Sequence, residues 1–190
     1  MRYVFEPRKA VVERIDSSLN YLGALNPSSV HVNKVERDGR SYTLKYAKEA
    51  FGWGIDHISR EREVLLRAGD VLGITHLVQD YEGVEGVGAA ILKEFYEGRM
   101  VREDETPMVY NTQLKKQLTQ TVSALHSRGI FSVDLHSANV VISADFSEAC
   151  IIDLGTCVFA EDFKYTSLDD VKHHDMKDID TLFRRCRLSF

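Results

Sequence analysis

The sequence predicts a mixed α+β fold, because strand-like and helix-like patterns occupy different halves of the chain. Short runs of β-branched and aromatic residues, separated by turn residues, fill the stretch from Leu19 to Ala47. In the second half, apolar residues instead recur at helical spacing, most clearly from Thr112 to Ser127. With 190 residues, 44% hydrophobic and 28% charged, the composition is that of an ordinary globular domain. We therefore expect one domain, or two small lobes that share one chain, with a sheet-rich first part and a helical second part.

The first half is predicted to hold two helices and five strands. Proline suits the first turn of a helix that runs from about Pro7 to Ser18. Three strands follow in YLGALN, VHVNKVE and SYTLKYA, and the Asp38-Gly39 pair predicts a tight hairpin between the last two. A helix is expected from Asp56 to about Ala68, where Gly69 ends it. HLVQDYEG and VGAAILKEF then supply the fourth and fifth strands.

The second half is predicted to be mainly helical. A hinge near Gly98 leads into a polar connection from Arg99 to Tyr110, and the helix from Thr112 to Ser127 follows. NVVIS and ACIID are short apolar runs on either side of a turn, so they predict a β-hairpin. The last predicted helix runs from about Leu168 to Arg187.

Charge and cysteine content narrow the classes of function. The net charge of −5 argues against binding through bulk electrostatics to nucleic acid, so we expect no direct nucleic-acid partner. Cys150, Cys157 and Cys186 show no C-x-x-C spacing, which argues against a disulfide framework or zinc site and indicates a reducing cytoplasm. No apolar run reaches membrane-spanning length and the first residues do not resemble a signal peptide, so we expect no transmembrane segment.

Three oxygen-bearing side chains mark the candidate site. In GIFSVDLHSANVVI, Asp134 and Asn139 precede an apolar strand that has no use for either of them. Asp153 follows the second strand of the predicted hairpin, so all three are expected at the ends of adjacent short strands. Magnesium prefers carboxylate and amide oxygens and usually shares its coordination shell with substrate phosphates. The pattern predicts a metal–nucleotide site with a further carboxylate that orients a nucleophile.

These residues and four upstream motifs resemble the protein-kinase-like superfamily. SVDLHSAN stands where that family has its catalytic loop H-R-D-x-x-x-x-N, and DLG stands where it has D-F-G. Upstream, in the family's order, come LGALNPSSV at the Gly-rich loop, YTLKYA at the third strand, EREVLLRAG in the helix and ILKEFYEG at the hinge. The resemblance covers about Leu19 to Arg185. It implies a bilobal protein-kinase-like fold, with a five-stranded antiparallel N-lobe (residues 1–97) and a truncated helical C-lobe (residues 98–190).

The resemblance implies a nucleotide site for ATP. Lys45 is implied to hold the α- and β-phosphates, with a helix glutamate keeping its ammonium group in place. Glu63 is preferred to Glu61 for that role because REVLL matches the family pattern better. The other implied nucleotide-binding residues are in the Gly-rich loop and the hinge, where backbone groups would receive the adenine: Gly23, Ser28, Val30, Glu94 and Tyr96.

The resemblance also implies the metal and catalytic roles. Asp153 would ligate the Mg²⁺ that bridges the phosphates, and Asn139 would hold a second Mg²⁺. Asp134 would accept a hydrogen bond from the attacking hydroxyl. Positioning matters more than base strength in a loose phosphoryl-transfer transition state, so an ordinary Asp is adequate there.

Departures from the family pattern point to its minimal and atypical branches. Gly23 is the only glycine kept in the Gly-rich loop, and Lys93 stands where the family usually has an apolar or small residue. A lysine there would crowd the adenine or means that the hinge register shifts by one. His136 replaces a lysine, and D-L-H-x-x-N is similar to aminoglycoside-type phosphotransferases and lipopolysaccharide-core kinases. In the short C-terminal part, HHDMKDIDTLFRRC resembles the late helix of lipopolysaccharide-core kinases, RIO kinases and the small kinase of the KEOPS complex.

Two functions of different classes remain open on the sequence. The first is an ATP- and Mg²⁺-dependent kinase that phosphorylates a hydroxyl acceptor, either a sugar or lipid core or a protein Ser/Thr. The second is a nucleotide-binding pseudokinase or scaffold, or a weak ATPase, that works within a complex with a partner protein. The remaining polar clusters favour structural roles. We expect His173, His174 and Asp175 to form a solvated helix face, and His126 to satisfy the last carbonyls of its helix.

Overall fold

The computed structural model of the chain describes residues 6–26, 30–101, 112–163 and 167–185, with only the backbone at 184 and 185. Ser28, Cys186 and most of the connection predicted from Arg99 to Tyr110 lie outside these residues. The chain divides into two compact units, Met1–Arg62 with Leu77–Phe95 and Glu63–His76 with Tyr96–Phe190. The predicted α+β class is confirmed, whereas the arrangement of two kinase-like lobes stays a prediction.

The first unit is built on a five-stranded antiparallel sheet, as the sequence predicts. Its strands run in the order β1-β2-β3-β5-β4. Their bounds are β1 Asn20–Ala24, β2 His31–Arg37, β3 Arg40–Lys48, β4 Leu77–Tyr81 and β5 Val87–Glu94. The β2–β3 hairpin turns through Asp38 (φ 53°) and Gly39 (φ 74°). Positive φ at both positions is the geometry that an Asp-Gly pair favours in a two-residue turn.

Helix α1 (Arg8–Ile15) covers one face of this sheet. It buries Val11, Val12 and Ile15 in one apolar cluster with side chains from β2, β3 and β5, including Val35, Leu44, Tyr46 and Leu92. Because successive side chains of a strand alternate between the two faces, Lys45 lies on the face opposite Leu44 and Tyr46. Helix α1 therefore packs on the apolar face of β3 and not on the face that carries Lys45.

Helix α2 (Gly52–Ala68) begins four residues earlier than predicted. The N–H groups of Gly54 and Ile55 donate to the carbonyl of Phe51 at 2.9 and 3.1 Å, which forms the extra turn. Two glycines conceal that turn in the sequence because glycine is a poor helix former. Packing is tight at Gly54, since an added Cβ would lie 3.1 Å from the Cβ of Ala47. The predicted end is confirmed, with Gly69 at φ 58° after the helix.

The second unit combines two helices with short strands. Helix α3 (Thr112–Ser127) matches its predicted bounds, and α4 (Leu168–Arg185) lies within the predicted last helix. The predicted hairpin is confirmed as β8 and β9, which β6 joins in one sheet, while β7 pairs with β10. Their bounds are β6 Arg99–Met100, β7 Ile130–Phe131, β8 Val140–Ile142, β9 Ala149–Ile151 and β10 Val158–Phe159. Two-residue strands leave no periodicity, so β6, β7 and β10 were not predictable.

Backbone packing explains the glycine before β6. An added Cβ at Gly98 would lie 2.3 Å from the carbonyl oxygen of Ile142, closer than any side chain can approach. The core of this unit is centred on α3, which buries Leu114, Leu118, Val122 and Leu125. None of the helices within the described residues combines the length and apolar character needed to cross a bilayer.

Candidate active site

The predicted site residues belong to both units. Lys45, Gly23, Val30 and Glu94 lie in the first unit. Four other predicted site residues lie in the second unit: Tyr96, Asp134, Asn139 and Asp153. Each set has its own local geometry.

Lys45 lies in the middle of β3 and forms a buried ion pair with α2. Its Nζ is 2.6 Å from Glu61 Oε2, and the two residues are 2% and 0% exposed. The sequence pattern favoured Glu63 as this partner, whereas the ion pair described here is with Glu61. Glu63 is exposed, because two residues along an α-helix correspond to a rotation of about 200°. Residue 61 precedes the apolar Val64 and Leu65 by three and four positions, so the helical period places it on their side of the helix, which is the buried side. That period would have favoured Glu61.

Lys93 is a second lysine on the same carboxylate. It is 2% exposed and its Nζ contacts Glu61 Oε1. The Lys93 side chain is therefore directed at α2, where Glu61 holds it. From the sequence alone, Lys93 is only a departure from the expected hinge pattern. Its signal in the sequence is a lysine in the apolar run AAILKEF, where burial of the strand requires an acidic partner.

The described part of the predicted Gly-rich loop is a strand end. Gly23 lies in β1 beside a register irregularity that follows Tyr21. Two hydrogen bonds connect the residues after this strand to Val32 of β2. The N–H of Leu25 donates to the Val32 carbonyl at 2.8 Å, and the N–H of Val32 donates to Asn26 Oδ1 at 3.2 Å. Val30 is buried. The nucleotide-binding roles of Gly23, Val30 and Ser28 stay predictions.

Glu94 and Tyr96, the predicted hinge residues, follow one another closely at the end of β5. Glu94 is exposed and is the last residue of that strand. Tyr96 donates its hydroxyl to Glu148 Oε2 at 3.3 Å. Burial, with the nearby Glu148 carboxylate, raises the pKa of Tyr96 to about 12. The phenol is therefore engaged with the hairpin, and an adenine contact at this residue would use the backbone, as predicted.

Asp134 and Asn139 meet in a compact loop between β7 and β8. Asn139 Nδ2 donates to the Asp134 carbonyl at 3.0 Å and approaches Asp134 Oδ2 at 3.5 Å. The Asp134 carbonyl also accepts the N–H of His136 at 3.1 Å. Ser132, at φ 55°, turns the chain so that Val133 and Leu135 are buried while Asp134 stays exposed. Apolar anchors on both sides thus present one carboxylate to solvent.

Asn139 and Asp153 are brought to the same end of the β8–β9 hairpin. Val140 pairs with Ile151, so the residues just outside the pairing, Asn139 and Ile152, are opposite each other. The N–H of Ile152 donates to the Asn139 carbonyl at 2.9 Å. Asp153 comes next, and its Oδ1 accepts the N–H of Gly155 at 3.1 Å.

This donor set fits the chemistry of magnesium. The amide nitrogen of Asn139 is committed to the Asp134 carbonyl, which leaves the amide oxygen as its ligand atom. Asp153 supplies carboxylate oxygens at the same end of the hairpin. Mg²⁺ takes one or two such protein oxygens and completes its shell with water and phosphate. Residues 139 and 153 could therefore hold Mg²⁺ together with the phosphates of a nucleotide.

A cavity of about 500 Å³ adjoins Asp134. Its wall opposite the loop is formed by α4, which contributes Asp170, His174, Asp175 and Asp178. Burial raises the pKa of Asp178, and the neighbouring carboxylates of Asp175 and Asp134 add to this, although the adjacent His174 lowers it. The cavity thus combines an exposed carboxylate with a strongly acidic wall.

Asp175 shows that the histidine-rich segment of α4 is more than a solvated face. It is 1% exposed, and His126 Nε2 lies 2.8 Å from its Oδ2. The prediction that His126 caps its own helix is wrong, because this pair joins the end of α3 to α4. His173 and His174 are exposed, as predicted.

A slightly larger cavity, about 550 Å³, lies elsewhere in the second unit between Gly73, α3 and β9. Tyr96 is the one predicted site residue in its lining. Size alone therefore does not identify the cavity that adjoins the candidate chemistry.

No protein-family model matches the chain, and no curated protein matches it.

Proposed function

We propose that the chain is an ATP- and Mg²⁺-dependent phosphotransferase that transfers the γ-phosphate to a hydroxyl acceptor. The observation that carries this proposal is the contact between Asn139 and Asp134 at the end of the hairpin that also bears Asp153. A carboxylate that can align a hydroxyl and two side chains that can bind a metal are thus adjacent. The buried pair of Lys45 with Glu61 supports the proposal independently.

Each residue has a role that its chemistry supports. Mg²⁺, when bound, supplies charge neutralisation of the phosphates, and Asn139 and Asp153 hold it. Lys45 contributes a fixed cation for the nucleotide phosphates, because Glu61 and the strand restrict its position. Asp134 aligns the acceptor hydroxyl by accepting its hydrogen bond, and positioning of this kind accounts for most of the catalysis in phosphoryl transfer.

The acceptor would occupy the cavity beside Asp134. A volume of about 500 Å³ is within the range of small-molecule sites. A sugar or lipid-core hydroxyl and a protein Ser/Thr both carry the group that Asp134 would align, so the acceptor class stays open. The expected partners are ATP and this acceptor.

A second function, that of a nucleotide-binding pseudokinase, scaffold or weak ATPase, is favoured by the sequence of the predicted Gly-rich loop. Leu25 occupies one of the glycine positions of that pattern and is 41% exposed. A side chain there restricts how closely the backbone can approach a phosphate.

Turnover of γ-labelled ATP with and without Mg²⁺, together with calorimetric ATP binding, separates these functions. We expect Asp134→Asn to lower turnover at least about 100-fold while ATP still binds, since general acid–base groups contribute 10²–10⁴-fold. Asp153→Ala should remove the Mg²⁺ dependence of ATP binding. Asp169→Asn, an exposed aspartate of α4 whose side chain is 88% exposed, is the matched control. ATP binding without turnover would support the pseudokinase, and absence of both would refute both functions.

A further inference from the structure

Two lysines of the sheet face the same helix. Lys93 is opposite Thr43 in the β3–β5 pairing, and Lys45 is opposite Ile91. Directly paired residues share a face of the sheet, and so do residues two apart on one strand. Lys93 and Lys45 are therefore diagonal neighbours on the face opposite α1.

Both ammonium groups contact one carboxylate, and each takes a different oxygen. Lys45 contacts Oε2 of Glu61 and Lys93 contacts Oε1. All three side chains are nearly inaccessible, at 3% or less. Desolvating a second lysine is costly, and an apolar residue of similar volume is often equally stable or more stable at such a position. Stability alone therefore does not account for Lys93.

We propose that Lys93 is a positioning residue that fixes the Lys45 ammonium through Glu61; this inference rests on the proposed phosphotransferase function. With one lysine on each oxygen, the plane of the Glu61 carboxylate is set and Lys45 is confined to Oε2. Without Lys93, the carboxylate can turn both oxygens towards Lys45. The ammonium of Lys45 would then shift towards α2, away from the position in which it holds phosphates.

The kinetic test compares Lys93→Met with Lys9→Met, an exposed lysine of α1 in the same unit. We expect Lys93→Met to lower kcat/KM for ATP about 10-fold, because small misplacements of a catalytic group reduce rates strongly. Lys93→Arg, which keeps a cationic donor for Oε1, should restore most of the loss. In a Glu61→Gln background, Lys93→Met should have no further effect, since the two residues act in one chain of contacts. A loss that persists in that background would overturn the inference, because Lys93 would then act directly.

A second measurement separates this inference from the proposed function. In ¹H–¹⁵N spectra of the lysine ammonium groups, we expect the Lys45 signal to move in Lys93→Met and to stay in place in Lys9→Met. If the wild-type chain shows no turnover, the phosphotransferase function fails and this shift alone decides the positioning role. An unchanged Lys45 signal would refute that role even in an active enzyme. Should Lys93→Met fail to fold, Lys93→Gln takes its place in both experiments.

Discussion

The two units carry their candidate residues in opposite ways. In the first, Lys45, Glu61 and Lys93 are buried on central strands and a long helix, where strand register and helical period fix their positions. In the second, Asp134 is exposed on a loop whose buried neighbours anchor it. A substitution in the first unit therefore changes folding and function together. A substitution of Asp134 should change function alone, since exposed side chains contribute little to stability.

The largest effect on stability is expected for Glu61→Ala. This change leaves two lysines in a buried site without their shared carboxylate. Removing one partner of a buried ion pair typically costs about 3–5 kcal/mol, so we expect a loss of that order in the free energy of unfolding, measured by urea denaturation.

Glu63→Ala is the matched control for this prediction. The residue is exposed on the same helix, so its removal should change the free energy of unfolding by less than about 0.5 kcal/mol. Equal losses for the two variants would show that burial of Lys45, Glu61 and Lys93 does not make substitutions among them more destabilising than a substitution at an exposed position.

An intermediate effect is expected for His126→Ala, which tests the one buried polar pair described above in the second unit. The substitution leaves the Asp175 carboxylate buried without its imidazole partner. We expect a loss of about 2 kcal/mol in the free energy of unfolding, the cost of an unsatisfied buried polar group. His174→Ala, at an exposed position on α4, should have almost no effect. A loss below about 0.5 kcal/mol for His126→Ala would mean that solvent replaces the imidazole.

The smallest effect is expected for Asp178→Asn, and its sign should be stabilising. The pKa of Asp178 is raised by burial and by two neighbouring carboxylates, despite the contact of its Oδ2 with His174 Nδ1 at 3.3 Å. A carboxyl with a raised pKa favours the folded state when protonated, and that contribution is lost as the pH rises through its folded pKa. At pH 7 we therefore expect the Asn variant to melt about 1–2 °C higher. The difference should vanish below about pH 3, where an aspartate of ordinary pKa is protonated even in the unfolded state. A constant difference across this range would contradict the electrostatic cause.

Most regular elements of this chain could be predicted because their signals are local. The Asp38-Gly39 turn, the apolar period of α3 and the glycine after α2 each depend on a few neighbouring residues. The start of α2 is not predictable from its own residues, since its first turn contains Gly52 and Gly54, and the close approach of position 54 to Ala47 is a tertiary contact. Such a contact leaves no local signal.

Contacts among the candidate residues were predictable where the residues lie close along the chain, and not where pairing across the fold decides them. Asp134 and Asn139 were found from their spacing, and the structure joins them by a hydrogen bond. Glu61 was passed over for Glu63 because motif similarity outweighed the helical period. The contact of Lys93 with Glu61 depends on the register of β3 with β5, which no single stretch of sequence contains.

The helix that covers the sheet in the first unit has a practical consequence for shortened forms of the chain. Val11, Val12 and Ile15 of α1 are completely or almost completely buried against the face that bears Leu44 and Tyr46. Deleting the residues up to Ile15 would leave that face as a broad apolar surface, and surfaces of this kind self-associate or adsorb to other proteins. An inactive or precipitated fragment that lacks α1 would therefore report on the solubility of the sheet and would carry no information about Lys45, Glu61 and Lys93 on its opposite face.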